Sequence, residues 1–435
     1  MRSSGVVGVT AALALQKRGL NVMRLDQQSA GLGCSFVGAG VIHPGAFPCS
    51  RFYRIPEFPA SFFKASSSAA LDWRSAPQLL SWGIRYVRAA SAKMVWHGTD
   101  LLHELCRNAL RSFELLLGSD LPPFNRCGHL TVLLSSSEAD RAVYLNSIRT
   151  SLGAAARIVS GEGLASLEPS IRRLASGPNA ADATFLKGAA HVVDPAAFLV
   201  GLLNVFVGGG GVLCINKVQG LESEQHGKIT VKCTGGDLSA RALILATGAH
   251  SNRLLSHCGH RIPLVAETGY HLELDVEPGF ISRPVSLPGL GVVPTPSQLG
   301  ARVSGISHFG VPGFRTRPSL LLSALARVRE FLPMLRARPG SEVRSGEHPT
   351  TPDSLPVIEQ VPGRSSIFVS TGARTPRTHV GNRLVRNRRR PCDGRFVKLC
   401  KRTQLATIPQ KYKVPFCSES GMRLNMHYAN AANRD

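Results

Sequence analysis

SSGVVGVTAALALQKRGLNVMRLD, running from Ser3 to Asp26, decides how the rest of the chain is read. Gly5-Val6-Val7-Gly8 opens an apolar, alanine-rich segment that continues to about Arg18, where Gly19 stops it. Asn21 to Asp26 then reads as a strand ending in an acid. A helix followed by such a strand is the second half of a βαβ unit. A dinucleotide fingerprint takes a strand, spaced glycines and a helix. The glycines permit a tight turn and let backbone N–H groups approach a pyrophosphate, and the helix dipole favours the anion. Gly5 and Gly8 fill two glycine places, Ser3 stands in the first, and Asp26 follows Gly5 by 21 residues, where an acid accepts ribose hydroxyls. The same residues also describe an ordinary amphipathic helix.

The chain has 435 residues, 43% of them apolar and 18% charged, enough for two or three domains with a sizeable core. This composition excludes a disordered chain, a collagen and a small disulfide scaffold, and no 20–50-residue repeat is present. The net charge of +23 is uneven: residues 373–435 hold 15 Lys and Arg against 3 Asp and Glu. A moderately basic body with a very basic tail is not a basic nucleic-acid domain, and charge runs are more often solvated segments. Tail residues such as Arg388, Arg389, Arg390, Lys401 and Arg402 would be the phosphate contacts of the competing nucleic-acid reading.

The ten cysteines are scattered with no CxxC pair, which suits a reducing compartment, and a cytoplasmic protein without a signal peptide is expected. His250, His257 and His260 with Cys258 lack metal-ligand spacing, so no metal site is expected. Ala196 to Ile215 has Asn204 as its single polar side chain and is long enough to span a bilayer, but four glycines, 208–211, cut it. Asp194-Pro195 starts a helix over 195–207, and Val212–Ile215 is a strand. Trp73, Trp82 and Trp96 read as packing anchors among the helices of 65–118.

Further along, Leu243 to Leu245 leads into Ala246-Thr247-Gly248, an apolar strand with a glycine turn. Ser35 and Gly38-Ala39-Gly40 follow the Asp26 strand, and Pro349-Thr350-Thr351-Pro352-Asp353 precedes a strand ending Ser370-Thr371-Gly372. In this order and spacing the set resembles the D-amino-acid dehydrogenase branch of the D-amino-acid oxidase-like FAD-dependent oxidoreductases. Gly128-His129-Leu130, Asp194-Pro195 and the stretch from Pro263 to Tyr270 add to the likeness, which covers about residues 3–372.

The resemblance implies an α+β, in part α/β, fold. A Rossmann-like FAD-binding domain (1–50, 192–262 and 340–372) would interleave with an antiparallel substrate domain (51–191 and 263–339), before an irregular basic tail. It implies noncovalent FAD held by Gly5, Val6, Gly8, Asp26, Ser35, Ala39, Gly40, Thr247, Gly248 and Gly372. Tyr270 and His348 would face the substrate, and no acid–base residue is singled out, because the flavin carries the chemistry. Hydride would pass from the C–N carbon of an amino acid to the flavin, and electrons onward to a quinone or another acceptor, with peripheral contact to the inner face of the cell membrane.

Three departures from the family pattern stand out. The first strand and first glycine are missing, His348 replaces an arginine suited to a carboxylate, and Ala373-Arg374-Thr375 replaces a His/Gly-rich turn. A chain truncated at its start and altered at its end, with little flavin and low activity, is therefore expected. A non-catalytic relic of the family is the competing reading.

Overall fold

The computed structural model describes residues 5–27, 33–44, 68–118, 124–176, 180–223 and 228–372. The basic tail and residues 1–4 lie outside them. The opening helix spans Val6–Gln16, with six consecutive residues, Val9 to Ala14, buried. A helix enclosed on every side needs no polar face, so the plain amphipathic reading does not hold. Gly19 ends it in the left-handed region at φ +76°, where a side chain would be strained.

The strand Met23–Asp26 follows and pairs in parallel with Val212–Ile215, Met23 opposite Val212 and Asp26 opposite Ile215. The apolar run of 196–215 is therefore a helix, Pro195–Gly208, then a glycine turn and the strand Val212–Ile215. Asp194 caps that helix: its Oδ1 accepts from the N–H groups of Ala196 at 2.9 Å and Ala197 at 3.0 Å. Gln16 Nε2 donates to the Phe206 carbonyl at 2.9 Å, tying the two helices together. Among the described residues no helix is long and apolar enough to cross a membrane.

A second parallel piece pairs Leu243–Leu245 with Ile367–Thr371, which continues antiparallel to Val357–Gln360. Leu245, Val369, Ile367 and Leu255 form its core. Among the described residues no strand joins Met23–Asp26 to Leu243–Leu245.

The antiparallel part is built on Val265–Leu274, which lies between Gly300–Gly310 and Arg344–Thr350. Val292–Ser297 adds at one edge and Ala69–Leu71 pairs in parallel with Gly300–Gly310. Beyond a bulge between Thr268 and Tyr270, the side chains of Tyr270, Leu272 and Leu274 enter the largest apolar core. His271 and Glu273 take the other face, as strand alternation requires. Helix Ser319–Phe331 covers the core side with Leu321, Ala324, Leu325 and Val328. A second sheet sets His129–Leu133 between Val285–Ser286 and Asp182–Leu186. Parallel strands with helices beside an antiparallel sheet match the expected fold class.

One packing expectation fails. Trp82 is buried, stacks on Tyr86 at 5.0 Å and donates from Nε1 to the Thr350 carbonyl at 3.0 Å. Trp73 and Trp96 are exposed rather than packed into the core.

Candidate functional site

The start of the opening helix lies beside the end of the second parallel piece. Gly5 is extended and offers no side-chain cap, while Val6 N–H donates to Ser35 Oγ at 3.0 Å. The other N–H groups of the first turn have no partner inside the helix. A Cβ on Gly8 would stand in ordinary contact, 3.5 Å, with Ala246 Cβ, so the helix start lies directly beside the Ala-Thr-Gly turn. Gly248 and Gly372 both adopt positive φ, +59° and +74°. Thr371 Oγ1 donates to the Gly248 carbonyl at 3.0 Å, and Ser370 Oγ is buried with no partner among the described residues. Gly5, Val6, Gly8 and Ser35 thus come together, and Thr247, Gly248 and Gly372 meet them through Ala246.

Asp26 ends its strand as expected, but its carboxylate is already engaged. Arg24, two residues back on the same strand face, donates from Nη2 to Asp26 Oδ2 at 2.9 Å, and both side chains are buried. Burial lowers the Arg24 pKa, and the charge of Asp26 partly offsets this.

The segment from Cys34 to Gly40 lies on the polar face of the central strand, and four side chains clamp it there. His348 Nδ1 meets Cys34 Sγ at 2.8 Å. His271 bonds to the Val37 carbonyl, His191 to the Ala39 carbonyl, and Arg302 reaches the Phe36 carbonyl at 3.4 Å. Gly346 makes this approach possible: a Cβ there would fall 2.9 Å from Val37 and 3.0 Å from the Cys34 backbone. Gly40, at φ +66°, sits so close to the Val192 carbonyl that a Cβ would be 2.3 Å from its oxygen.

Phe36 collects the cations. Its ring meets His271 edge-on at 4.9 Å, with the guanidinium carbons of Arg302 and Arg344 at 5.3 and 5.2 Å from its centroid. Arg302 is paired with Glu273 Oε1 at 2.7 Å, whereas Arg344 is exposed and has no ion-pair partner among the described residues. At the Phe36 ring itself two guanidinium groups face one carboxylate, Glu273, while Glu267 and Glu347 act on Cys34 nearby. Burial, then the charges of Arg302 and Arg344, pushes the His271 pKa down to about 3. Burial alone holds His348 down at about 4, so its imidazole is neutral at pH 7. Burial first, then Glu347 and Glu267, raises the Cys34 thiol well above its ordinary value.

Tyr270 is fully buried. Its hydroxyl donates to His308 Nδ1 at 2.8 Å and accepts from the Arg317 N–H at 2.9 Å, so both polar functions are used inside the protein. His250 and His260 lie 3.2 Å and 3.4 Å from the carboxylates of Glu347 and Glu359. No group of three metal-ligating side chains occurs among the described residues.

Sequence reasoning missed Cys34, His191, His271 and Arg302. The available signal was the polar alternation Glu267, Gly269, His271, Glu273 in an otherwise apolar strand. The buried, unpartnered atoms His191 Nδ1, His271 Nδ1, Ser304 Oγ and Ser370 Oγ surround this loop and the glycine turns. A glycine-bared helix start, two left-handed glycine turns and orphaned polar atoms fit a long polar cofactor such as a dinucleotide.

This arrangement is that of a dinucleotide-dependent oxidoreductase, and the chain belongs to the FAD dependent oxidoreductase family, whose model matches residues 4–378. Among characterised relatives it is 23% identical over 391 residues to a D-amino-acid oxidase of Bradyrhizobium diazoefficiens, covering 85% of this chain and 88% of the relative. It is 24% identical over 395 residues to a D-amino acid dehydrogenase of Dechloromonas aromatica, covering 85% and 90%. Glycine oxidase from Geobacillus kaustophilus shares the fold, with a TM-score of 0.65 at 18% identity over 93% of this chain and 94% of that one.

Proposed function

We propose that this FAD-dependent enzyme oxidises the C–N bond of a D-amino acid to a keto acid and ammonia. The observation that carries the reading is the clamped Cys34–Gly40 segment, which brings Ser35, Ala39 and Gly40 against His348 and the Arg302–Arg344 pair. When bound, FAD would supply the electron acceptor, taking a hydride from the substrate Cα so that water could hydrolyse the imino acid. The chain's own part is to bind and orient. Gly5, Val6 and Gly8 present the helix start to the pyrophosphate, and Thr247, Gly248 and Gly372 turn the backbone aside for the cofactor.

His348 stays neutral and offers a hydrogen bond to the substrate carboxylate, while the two guanidinium groups beside Phe36 favour an anion. Tyr270 acts, in this reading, by holding the central strand through His308 and Arg317. Residues 1–50, 192–262 and 340–372 serve the cofactor, and 51–191 and 263–339 the substrate. Arg344–Thr350 lies at their seam, since it pairs with Val265–Leu274.

Electrons pass on to a quinone or a comparable acceptor at a membrane surface rather than mainly to oxygen. The strands Met23–Asp26 and Leu243–Leu245 each have an edge without a strand partner among the described residues. Titration of the purified chain with FAD, followed by assay against D- and L-amino acids with an artificial electron acceptor, tests the reading. Activity with L- but not D-enantiomers would overturn the substrate assignment.

A further inference from the structure

Helix Ala76–Ala89 is apolar on two faces. Leu79, Trp82, Tyr86 and Ala89 are buried, and the first three pack against Ala69, Val265 and Phe309. That face explains why the helix docks. It leaves a second stripe unexplained: Leu80, Ile84 and Val87, spaced four and three residues apart on one side, are 66%, 48% and 37% exposed. Trp73 and Trp96, before and after this helix, are 52% and 45% exposed, and Met94 is 42% exposed. Scattered exposed apolar residues are ordinary, but a second helical stripe is not.

The charge pattern says what the stripe meets. From Trp73 to Thr99 the chain has Arg74, Arg85, Arg88 and Lys93 and no Asp or Glu. All four cations are exposed, and none has an ion-pair partner among the described residues. A stripe of aliphatic side chains bordered by unpaired cations, with tryptophans alongside, is the chemistry of a helix lying in the plane of an anionic bilayer surface. The aliphatic groups enter the acyl boundary, the cations meet lipid phosphates, and indole rings settle at the headgroup level.

We propose that the Trp73–Trp96 segment, centred on the outer face of helix Ala76–Ala89, is an anionic-membrane docking surface of this protein. This gives a place to the membrane contact proposed above and rests on that part of the reading, not on flavin binding.

The chain carries its own reporter, because all three of its tryptophans, Trp73, Trp82 and Trp96, fall in this segment. The full-length protein is mixed with vesicles of phosphatidylcholine alone or with added phosphatidylglycerol. Co-sedimentation reads binding, and tryptophan emission reads which part is inserted. Binding to the anionic vesicles with a blue shift is expected, weakened by salt. Leu80→Ser/Ile84→Ser should abolish the shift. Arg85→Gln/Arg88→Gln should weaken binding about fivefold for each charge removed. Circular dichroism of both variants checks that the buried face still holds the helix.

No sedimentation of the unaltered protein with either vesicle would overturn the membrane contact itself. Sedimentation without an emission change would show that the basic tail alone binds, and would overturn this surface. Loss of self-association in the Leu80→Ser/Ile84→Ser variant, with vesicle binding unchanged, would reassign the stripe to a contact between copies and also overturn the proposal.

Discussion

Cys34 Sγ lies 2.8 Å from His348 Nδ1, joining a loop near the start of the chain to a strand 314 residues later. Both groups are neutral at pH 7: the thiol is raised and the imidazole lowered, in each case chiefly by burial. Either Sγ–H or Nδ1–H carries the proton between them, and Nε2 is the ring's other nitrogen. That nitrogen stands 3.3 Å from where a Cβ on Gly269 would be. A side chain at 269 would press on the ring, which would have to give by a few tenths of an ångström.

The thiolate is the nucleophilic form, so suppressing it should make Cys34 slow to alkylate. In the folded protein at pH 8, iodoacetamide should label Cys34 far more slowly than a free cysteine peptide. Cys34→Ala should lower stability by about 1–3 kcal/mol through the unpaired Nδ1, and Cys34→Ser should recover part of that. Rapid labelling of Cys34 in native protein would show that the pair is not formed.

Buried neutral histidines make the fold acid-sensitive. The pKa values of His191, His308 and His348 are held at about 4 and that of His271 at about 3, all primarily by burial; His129 is also well below its ordinary value. Unfolded histidines titrate near pH 6.5 and take up protons first. Stability is therefore complete above about pH 6.5 and falls as the pH drops toward 4, by up to about 1.4 kcal/mol per pH unit for each histidine. Melting temperatures between pH 8 and pH 4.5 should show a plateau and then a steep decline. A flat profile down to pH 4.5 would contradict the burial of these rings.

Gly40 is constrained twice, by φ +66° and by the Val192 carbonyl. Gly40→Ala forces a left-handed alanine, at about 1–2 kcal/mol, and displaces the contact to Val192, at about 1–3 kcal/mol. The loop that carries Ser35 and Ala39 should move with it, so FAD affinity should fall together with the melting temperature. Unchanged FAD affinity in a destabilised variant would separate this loop from the cofactor.

His348 supplies one donor where an arginine fork supplies two. Losing one charge-assisted contact costs about 1.5–3 kcal/mol, roughly ten- to over a hundredfold in affinity. His348→Arg should strengthen binding of a carboxylate ligand such as benzoate by that order, read as perturbation of the flavin spectrum in FAD-loaded protein. No change in its Kd would place the carboxylate elsewhere, with Arg344 the next candidate.

Much of this was legible locally. Gly19, Asp194 and the 208–211 glycines punctuate helices by rules that act over a few residues, and the elements they bound are where the residue pattern puts them. The exposed Trp73 and Trp96 were misread because size and apolarity alone do not say which face of a helix is covered. The clamp on Cys34–Gly40 was invisible for a different reason. It depends on the register of Val265–Leu274 against two neighbours and on the strand alternation that sets His271 and Tyr270 on opposite faces. No short window encodes contacts between residues separated by hundreds of positions. Asp26 was legible as the end of a strand, but its pairing with Arg24 was not drawn from the motif, although the two-residue spacing places both on one face.

The most direct test is anaerobic reduction of the FAD-reconstituted protein. The purified chain is saturated with FAD, freed of excess, and mixed with D-amino acids, L-amino acids and glycine in turn while the visible flavin absorbance is followed. The account predicts that FAD binds and NADP does not, and that at least one D-amino acid bleaches the absorbance, with its keto acid formed in equal amount. Failure of every D-amino acid to bleach stably bound FAD, or preferential reduction by glycine or an L-amino acid, would contradict it.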